Sequence, residues 1–366
     1  MNKEYLMIKR NSINKKVIIT AAVFFLSVTL NASADFSEQK ARDSVIKFIN
    51  ENDLGHKLTD PVRITQDKSG VLRITDPGSF FYQYIILTPK NKDVTDPNVT
   101  RQLKIRIPKT CDKAVIVTHG WIDKGADDWP ADMAKAFRDK TKPEEWMSLY
   151  FDWQNGAAVV NPVDAVKYSR DVAGPRLANA FLSLLPEEQQ LKHVHLIAHS
   201  AGTWAITTAA QIISDKTGAQ VHLTLLDAYL PLKWGEKKLG MVVTDKPAYV
   251  EHYYSKDITF DVTQADLSAA HNVDLTQVDQ MIKTHEYPYK WYAATITGKF
   301  RKKDYVVDKK IITKYKDIDY GYKRSLESSP ENFKKSLTLK KANKAVVIPN
   351  PKKKKGNFLD ISNWFK

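Results

Sequence analysis

Cysteine is nearly absent: Cys111 is the only one in 366 residues. That excludes an internal disulfide, and it excludes a zinc or iron–sulfur site built on several thiolates. Bilayer-spanning apolar stretches are absent too. The run from Val17 to Leu30 covers 14 residues, short of the ~20 that cross a membrane as a stable helix. No internal repeat is visible, and no His-x₃-His pattern offers paired ligands on one helix face. The expectation is therefore no metal and no cofactor.

Acidic residues are scarce only in places. The chain carries 56 Lys+Arg against 42 Asp+Glu, a net charge of +14. From residue 299 onward the balance is 20 to 7, and in the first 34 residues it is 5 to 1. Residues 35–298 hold 31 against 34 and are nearly neutral. A nucleic-acid groove would be built into the fold, so basicity confined to the ends argues against a nucleic-acid binder.

The N-terminus reads as an address. Lys3, Lys9, Arg10, Lys15 and Lys16 precede the apolar run, and Ala32-Ser33-Ala34 supplies the small residues of a cleavage site. Residues 1–34 are expected to be a signal peptide, and the protein to be exported, periplasmic or secreted; a retained anchor is the alternative. No Cys follows the run, which argues against a lipid-anchored start.

A helix is expected over residues 37–53, followed by β-rich stretches at Phe80–Leu87 and Leu103–Ile107. Four short runs then lack polar alternation: Ala114–Thr118, Leu149–Phe151, Val194–Ala198 and Val221–Leu226. Such runs suit strands buried on both faces of a parallel sheet. Helical patterns fall between them, at Trp129–Arg138, at Val163–Leu184 with a kink near Gly174-Pro175, and from Gly202 to Ile213, ending near Gly218. Strands alternating with helices imply βαβ units and a mostly parallel central sheet with helices on both faces.

Chemistry concentrates where such strands end. Ala198-His199-Ser200-Ala201-Gly202 lies at a strand-to-helix junction, with small residues two before and two after the serine. A nucleophile elbow needs that arrangement, because its turn is sharp and strained. Val115–Thr118 leads into His119-Gly120-Trp121, an early βα loop. The N–H groups of Trp121 and Ala201 are the candidate oxyanion donors, and His119 reads as structural. Leu223–Leu226 ends in Asp227, a carboxylate able to orient an imidazole. An Asp capping the following turn is the bland alternative.

The base is expected after Asp227, at His252, His271 or His285. His252 falls in the strand-like stretch Tyr249–Tyr254. His285 precedes an aromatic helix from Lys290 and fits a loop between the last strand and the last helix; it is preferred, and His271 is the rival. His193 and His195 alternate on the strand leading to Ser200 and read as packing or edge residues.

These three segments, with Phe151-Asp152-Trp153 between them, resemble the pancreatic lipase-like family of α/β-hydrolases, lipases and phospholipases A1. The resemblance rests on Thr118–Gly125 with Trp129, on Phe151-Asp152-Trp153, on His193–Gly202 and on Leu226-Asp227. It implies an α/β-hydrolase fold over residues 35–298 and hydrolysis of lipid esters, acylglycerol or phospholipid, through a Ser–Asp–His triad and an acyl-enzyme. The cysteines that pin a lid in such a family are absent, and no lid motif stands out. An acyltransferase or non-lipid esterase on the same triad is an alternative, as is a non-catalytic lipid-binding protein of the same fold. Residues 299–366 are expected to be a basic, partly disordered extension. Lys352–Lys355 within it could meet an anionic membrane surface, at about 1 kcal/mol per Lys, or could simply be solvated.

Overall fold

A strand covered on both faces gains nothing from polar alternation, and the four apolar runs form the middle of one sheet. In a computed structural model of the chain they are β4 (Lys113–Thr118), β5 (Trp146–Asp152), β6 (His193–His199) and β7 (Gln220–Leu226). The structure describes residues 62–350 except 77, 79–98, 102–106, 109, 122–127, 158–160, 187–188, 232–238, 257–262, 264, 280, 282–283 and 338–344. All of these belong to one compact unit, Thr59–Lys366. The expected signal peptide, the helix over 37–53, the stretch Phe80–Leu87, most of Leu103–Ile107 and the tail from 351 lie outside the described residues; Ile107 itself is not in a strand.

Among the described residues the sheet has ten strands. Besides the four above it contains β1 (Val62–Gln66), β2 (Leu72–Thr75), β3 (Val99–Arg101), β8 (Tyr249–Tyr254), β9 (His271–Asp274) and a two-residue edge strand Val346–Val347. From that edge the order is Val346–Val347, β9, β8, β7, β6, β4, β5, β2, β1, β3. Every neighbouring pair is parallel except the β1–β2 hairpin. The mostly parallel sheet and α/β fold expected from the alternating elements are present.

Among the described residues the helices longer than one turn are α1 (Trp129–Lys140), α2 (Pro162–Tyr168), α3 (Gly174–Leu182), α4 (Gly202–Thr217), α5 (Tyr287–Thr297) and α6 (Pro330–Leu337). The expected kink lies between α2 and α3, where Ser169–Ala173 form a π turn. Pro175 has no N–H to give to the carbonyl four residues back, so the ladder widens just before it. Gly174 also permits close packing: a Cβ there would lie 2.8 Å from Ala205 O on α4. Helix α4 stops at Gly218, left-handed at φ 64°, a conformation glycine adopts at no steric cost. On one face of the sheet Val115, Val117 and Ile197 join Trp129, Met133 and Phe137 of α1 and Tyr287 and Trp291 of α5 in a single apolar cluster.

The reading of residues from 299 as an extension needs correction up to residue 350. Tyr320, Tyr322, Phe333 and Ile348 are buried, and Val346 and Val347 pair with Val273 and Asp274 at the sheet edge. The polypeptide does this with short irregular pieces. One is a two-residue hairpin, Lys314–Tyr315 against Ile318–Asp319, turned by Lys316 and Asp317 at φ 45° and 62°. Single aromatics between lysines anchor such pieces without any periodic face, which is why the sequence pattern was silent.

Candidate active site

Strand β6 ends at His199, and the backbone turns sharply at Ser200, whose φ is 53°. A non-glycine residue in the left-handed region is strained by about 1–2 kcal/mol, so its surroundings must hold it there. Ser200 N–H donates to Leu226 O at 3.0 Å, and Thr203 Oγ1 donates to Ser200 O at 2.6 Å. Ser169 Oγ donates to Ala201 O at 2.7 Å and accepts from Ala205 N–H at 2.9 Å, tying the π turn to the start of α4. Helix α4 then begins immediately, as the elbow pattern requires.

The loop after β4 nests against this turn. A Cβ on Gly202 would sit 2.1 Å from His119 O, and one on Gly120 would meet Ser200 Cβ at 2.8 Å. Both glycines are therefore needed for close approach. His119 is structural, as expected: Trp153 N–H donates to its Nε2 at 3.1 Å, and Trp153 Nε1–H donates to its carbonyl at 3.0 Å. The two rings stack at 5.4 Å. Asp152 beside them also takes Arg73 at 2.5 Å. Burial favours protonation of this carboxyl, but its contacts with His119 and Arg73 hold it well below the usual range. Trp121 follows, half-buried. No hydrogen bond among the described residues uses the Ala201 N–H, which leaves it available to a ligand oxygen.

Asp227 stands at the end of β7 with φ 47° and is fully buried. The register pairs His199 with Leu226, so the next step sets Ser200 beside Asp227. Asp227 N–H donates to Tyr253 O at 2.7 Å, and its Oδ1 accepts from Ser255 N–H at 2.9 Å. Its Oδ2 pairs with His285 Nδ1 at 2.5 Å. Burial pushes the Asp227 carboxyl upward, while His285, Ser255 N–H and Thr263 pull against that.

His285 lies on a single 3₁₀ turn, Thr284–Glu286, between β9 and α5. Contrary to expectation, this strand and helix are not the last in the chain: α6 and the edge strand Val346–Val347 follow them. Its carbonyl receives His199 Nε2–H at 2.8 Å, and the two rings are 4.4 Å apart. Burial depresses the His199 imidazole well below its usual value, so His199 is a neutral strut between the elbow and the histidine turn. No hydrogen bond joins Ser200 Oγ to His285 among the described residues; without substrate such bonds are commonly long.

The rival, His271, is not brought to Asp227. It opens β9, buried and stacked at 6.1 Å on Tyr320, and neither ring nitrogen has a hydrogen-bond partner. His252 is buried on β8, where its Nδ1 bonds Asn272 Oδ1 and its Nε2 accepts Ala228 N–H at 3.3 Å. It supports the turn after Asp227. His199, Ser169 and His252 went unnoticed as supports in the sequence because their partners lie far along the chain. The position of His199 next to Ser200 was the one available signal.

A family described as "Alpha/beta hydrolase of unknown function (DUF900)" matches residues 96–281. Pancreatic lipase-related protein 2 of Sus scrofa is 30% identical over 125 residues, 32% of this chain and 24% of that protein. Pancreatic triacylglycerol lipase of Mus musculus is 28% identical over 138 residues, 35% and 27% of the two chains. The match thus spans about a quarter of the length of these relatives. A solved arylesterase shares 12% identity over 63% of this chain and 78% of that one, with a TM-score of 0.22, too distant to argue from.

Proposed function

The chain belongs to this α/β-hydrolase family, and from that premise we propose that it is a serine ester hydrolase acting on lipid esters. The observation that carries the reading is the 2.5 Å Asp227–His285 pair in register with the strained elbow at Ser200. With Nδ1 held by Asp227, Nε2 of His285 is the nitrogen left to take the Ser200 proton. Ser200 Oγ attacks the ester carbonyl, and the Trp121 and Ala201 N–H groups receive the oxyanion. Protonated His285 then gives its proton to the departing alcohol. Water deprotonated by the same imidazole hydrolyses the acyl-enzyme and restores Ser200.

The lipid character of the substrate is supported by the relatives, which are named as pancreatic lipases. Ser200→Ala should lower ester hydrolysis about 10⁶-fold and abolish labelling by a fluorophosphonate probe. Wild-type turnover by a purified Ser200→Ala sample would sink the proposal. Hydrolysis of p-nitrophenyl esters of rising chain length, with and without phospholipid micelles, tests the lipid assignment. A preference for short acyl groups that micelles leave unchanged would favour a non-lipid esterase.

Export belongs to the same proposal and rests on the basic, apolar and small-residue order of residues 1–34. Cell fractionation with N-terminal sequencing of the mature protein tests it. The tail is proposed to bring the enzyme to anionic lipid. Deleting residues 350–366 should weaken binding to anionic liposomes at low salt and leave soluble-ester turnover intact. Unchanged liposome binding would dispose of that role.

A further inference from the structure

The N-terminal halves of β6 and β7 carry a buried polar cluster that the chemistry above does not use. It lies roughly 20 Å along β6 from Ser200, at about 3.3 Å per residue. His193 and His195 on β6 and His222 on β7 point to one side of the sheet, where the segment Gly321–Leu337 covers them. His195 and His222 stack at 3.6 Å with rings 4° from parallel. His193 and His222 each face Phe333 of α6 at 5.3 Å.

Satisfaction in this cluster is uneven: His195 is bonded through both ring nitrogens, Glu327 and His222 through one atom each, and His193 through none. Glu327 Oε1 pairs with His195 Nδ1 at 2.5 Å, whereas Glu327 Oε2 has no partner. His222 Nε2 meets Glu251 Oε1 at 3.2 Å, whereas His222 Nδ1 has none. His193 has no partner on either ring nitrogen. All three residues have essentially inaccessible side chains, with His193 2% exposed, His222 0% and the Glu327 side chain 0%. A buried polar atom without a hydrogen bond costs about 1–3 kcal/mol, so unpartnered atoms on three neighbouring buried side chains ask for a ligand. One ligand atom from each of His193, His222 and Glu327 can be chosen so that all lie within 4.8 Å of one another.

We propose that His193, His222 and Glu327 form a binding site for one divalent transition-metal ion, Zn²⁺ by its donor set, that fastens the C-terminal segment to the sheet. Two imidazoles and a carboxylate are an established zinc donor set, with water free to complete the tetrahedron. Small side-chain shifts bring atoms 4.8 Å apart to the spacing that bonds of about 2.0–2.2 Å require. The atoms already bonded are the outer supports such a site needs, with Glu251 behind His222 and His195 behind Glu327. Glu251 and Glu327 bring two carboxylates to the cluster, against Arg324, which lies over the rings of Tyr249 and Tyr320, and Lys113, which acts on His193. Protonation fits as well. Burial depresses His193 to about 3 and His222 well below its usual value. Burial works against ionisation of Glu327, yet the charge and hydrogen bond of His195 hold it at about 2. Neutral imidazole and ionised carboxylate are the forms that bind metal.

The sequence hid this site because its ligands come from three separate elements, with Glu327 more than a hundred residues beyond His222. The test is metal binding by the untagged full chain. After chelator dialysis, Zn²⁺ titrated in a calorimeter should bind at one equivalent per chain and raise the thermal midpoint. Co²⁺ in its place should give the intense visible bands of a four-coordinate site. Glu327→Gln and His193→Phe should weaken binding beyond the roughly 10- to 100-fold that loss of an outer support costs, with circular dichroism unchanged. The wild-type titration decides even if a variant fails to fold. Wild-type protein taking up less than about a tenth of an equivalent would overturn the proposal, as would folded variants that bind like wild type.

Discussion

Replacing Gly202 with Ala tests whether the elbow and the oxyanion loop are built as one piece. An ideal Cβ at 202 would lie 2.1 Å from His119 O. That oxygen is main chain and already accepts Trp153 Nε1–H at 3.0 Å, so it cannot swing aside like the end of a flexible side chain. Restoring ordinary contact means parting the loop from the elbow by about 1 Å, and misplacement on that scale costs roughly 10² in rate. If Trp121 N–H loses the oxyanion altogether, the loss is about 3 kcal/mol, or 10² to 10³. On soluble p-nitrophenyl esters kcat should fall by about that factor with KM little changed, because the contact is made only in the transition state. Gly218→Ala is the control. Gly218 has φ 64° with nothing within 4 Å of a new Cβ, so alanine there costs about 1–2 kcal/mol of stability and leaves kcat alone. A Gly202→Ala enzyme with wild-type kcat would refute the reasoning. A folded Gly218→Ala enzyme with the same loss would refute it too, since strain alone would then suffice.

Two further predictions follow from the supports around the site. Asp227→Asn keeps the shape but offers His285 a group that favours the wrong tautomer, and kcat should fall about 10⁴-fold; a loss under about tenfold would remove Asp227 from the orienting role. Burial depresses His252 from 6.5 to about 4, so the folded state binds fewer protons than the unfolded state between those values. Its contribution is fully present above pH 6.5 and is lost as pH falls toward 4, roughly 3 kcal/mol in all, with His193 acting in the same direction. Urea midpoints measured from pH 7 to 4 should decline across that window, and His252→Asn should flatten the decline. Equal slopes for the two proteins would assign the acid sensitivity elsewhere.

What the sequence made legible was local. The elbow could be read because its requirements, a buried strand, small flanks and a helix start, all fall between Val194 and Ile213. Asp227 could be read because an apolar run ends on it. His285 was only half legible, since a loop histidine has no pattern of its own and His271 was a fair competitor until β9 buried it. The β1–β2 hairpin has a turn signal in Asp67-Lys68-Ser69-Gly70, with Gly70 at φ 84°, but its strands of five and four residues carry only a short alternation. The segment from 299 to 350 escaped because its buried residues are spread singly through lysine-rich chain. The histidines of β6 and β7 were visible, but Glu251 and Glu327, which meet them in the fold, are not adjacent to them in sequence.

The site's geometry also explains why two strained residues are tolerable together. Ser200 and Asp227 are both left-handed and occupy the same step of adjacent strands. Each N–H continues the ladder into the next strand, Ser200 to Leu226 O and Asp227 to Tyr253 O. The turn at one strand is thus fixed by the one beside it, and β8 closes the series by giving Ala228 N–H a partner in His252. Strain of about 1–2 kcal/mol per residue is offset by bonds that would otherwise be buried and unmade, each worth a similar amount. Because the supports are main-chain bonds between parallel strands, Ser200 cannot relax without breaking the register that also holds Asp227. His285 depends on the same frame twice, through Asp227 Oδ2 and through the His199 strut on its carbonyl. Loss of the strut should therefore act on the placement of the histidine and leave its pairing with Asp227 intact.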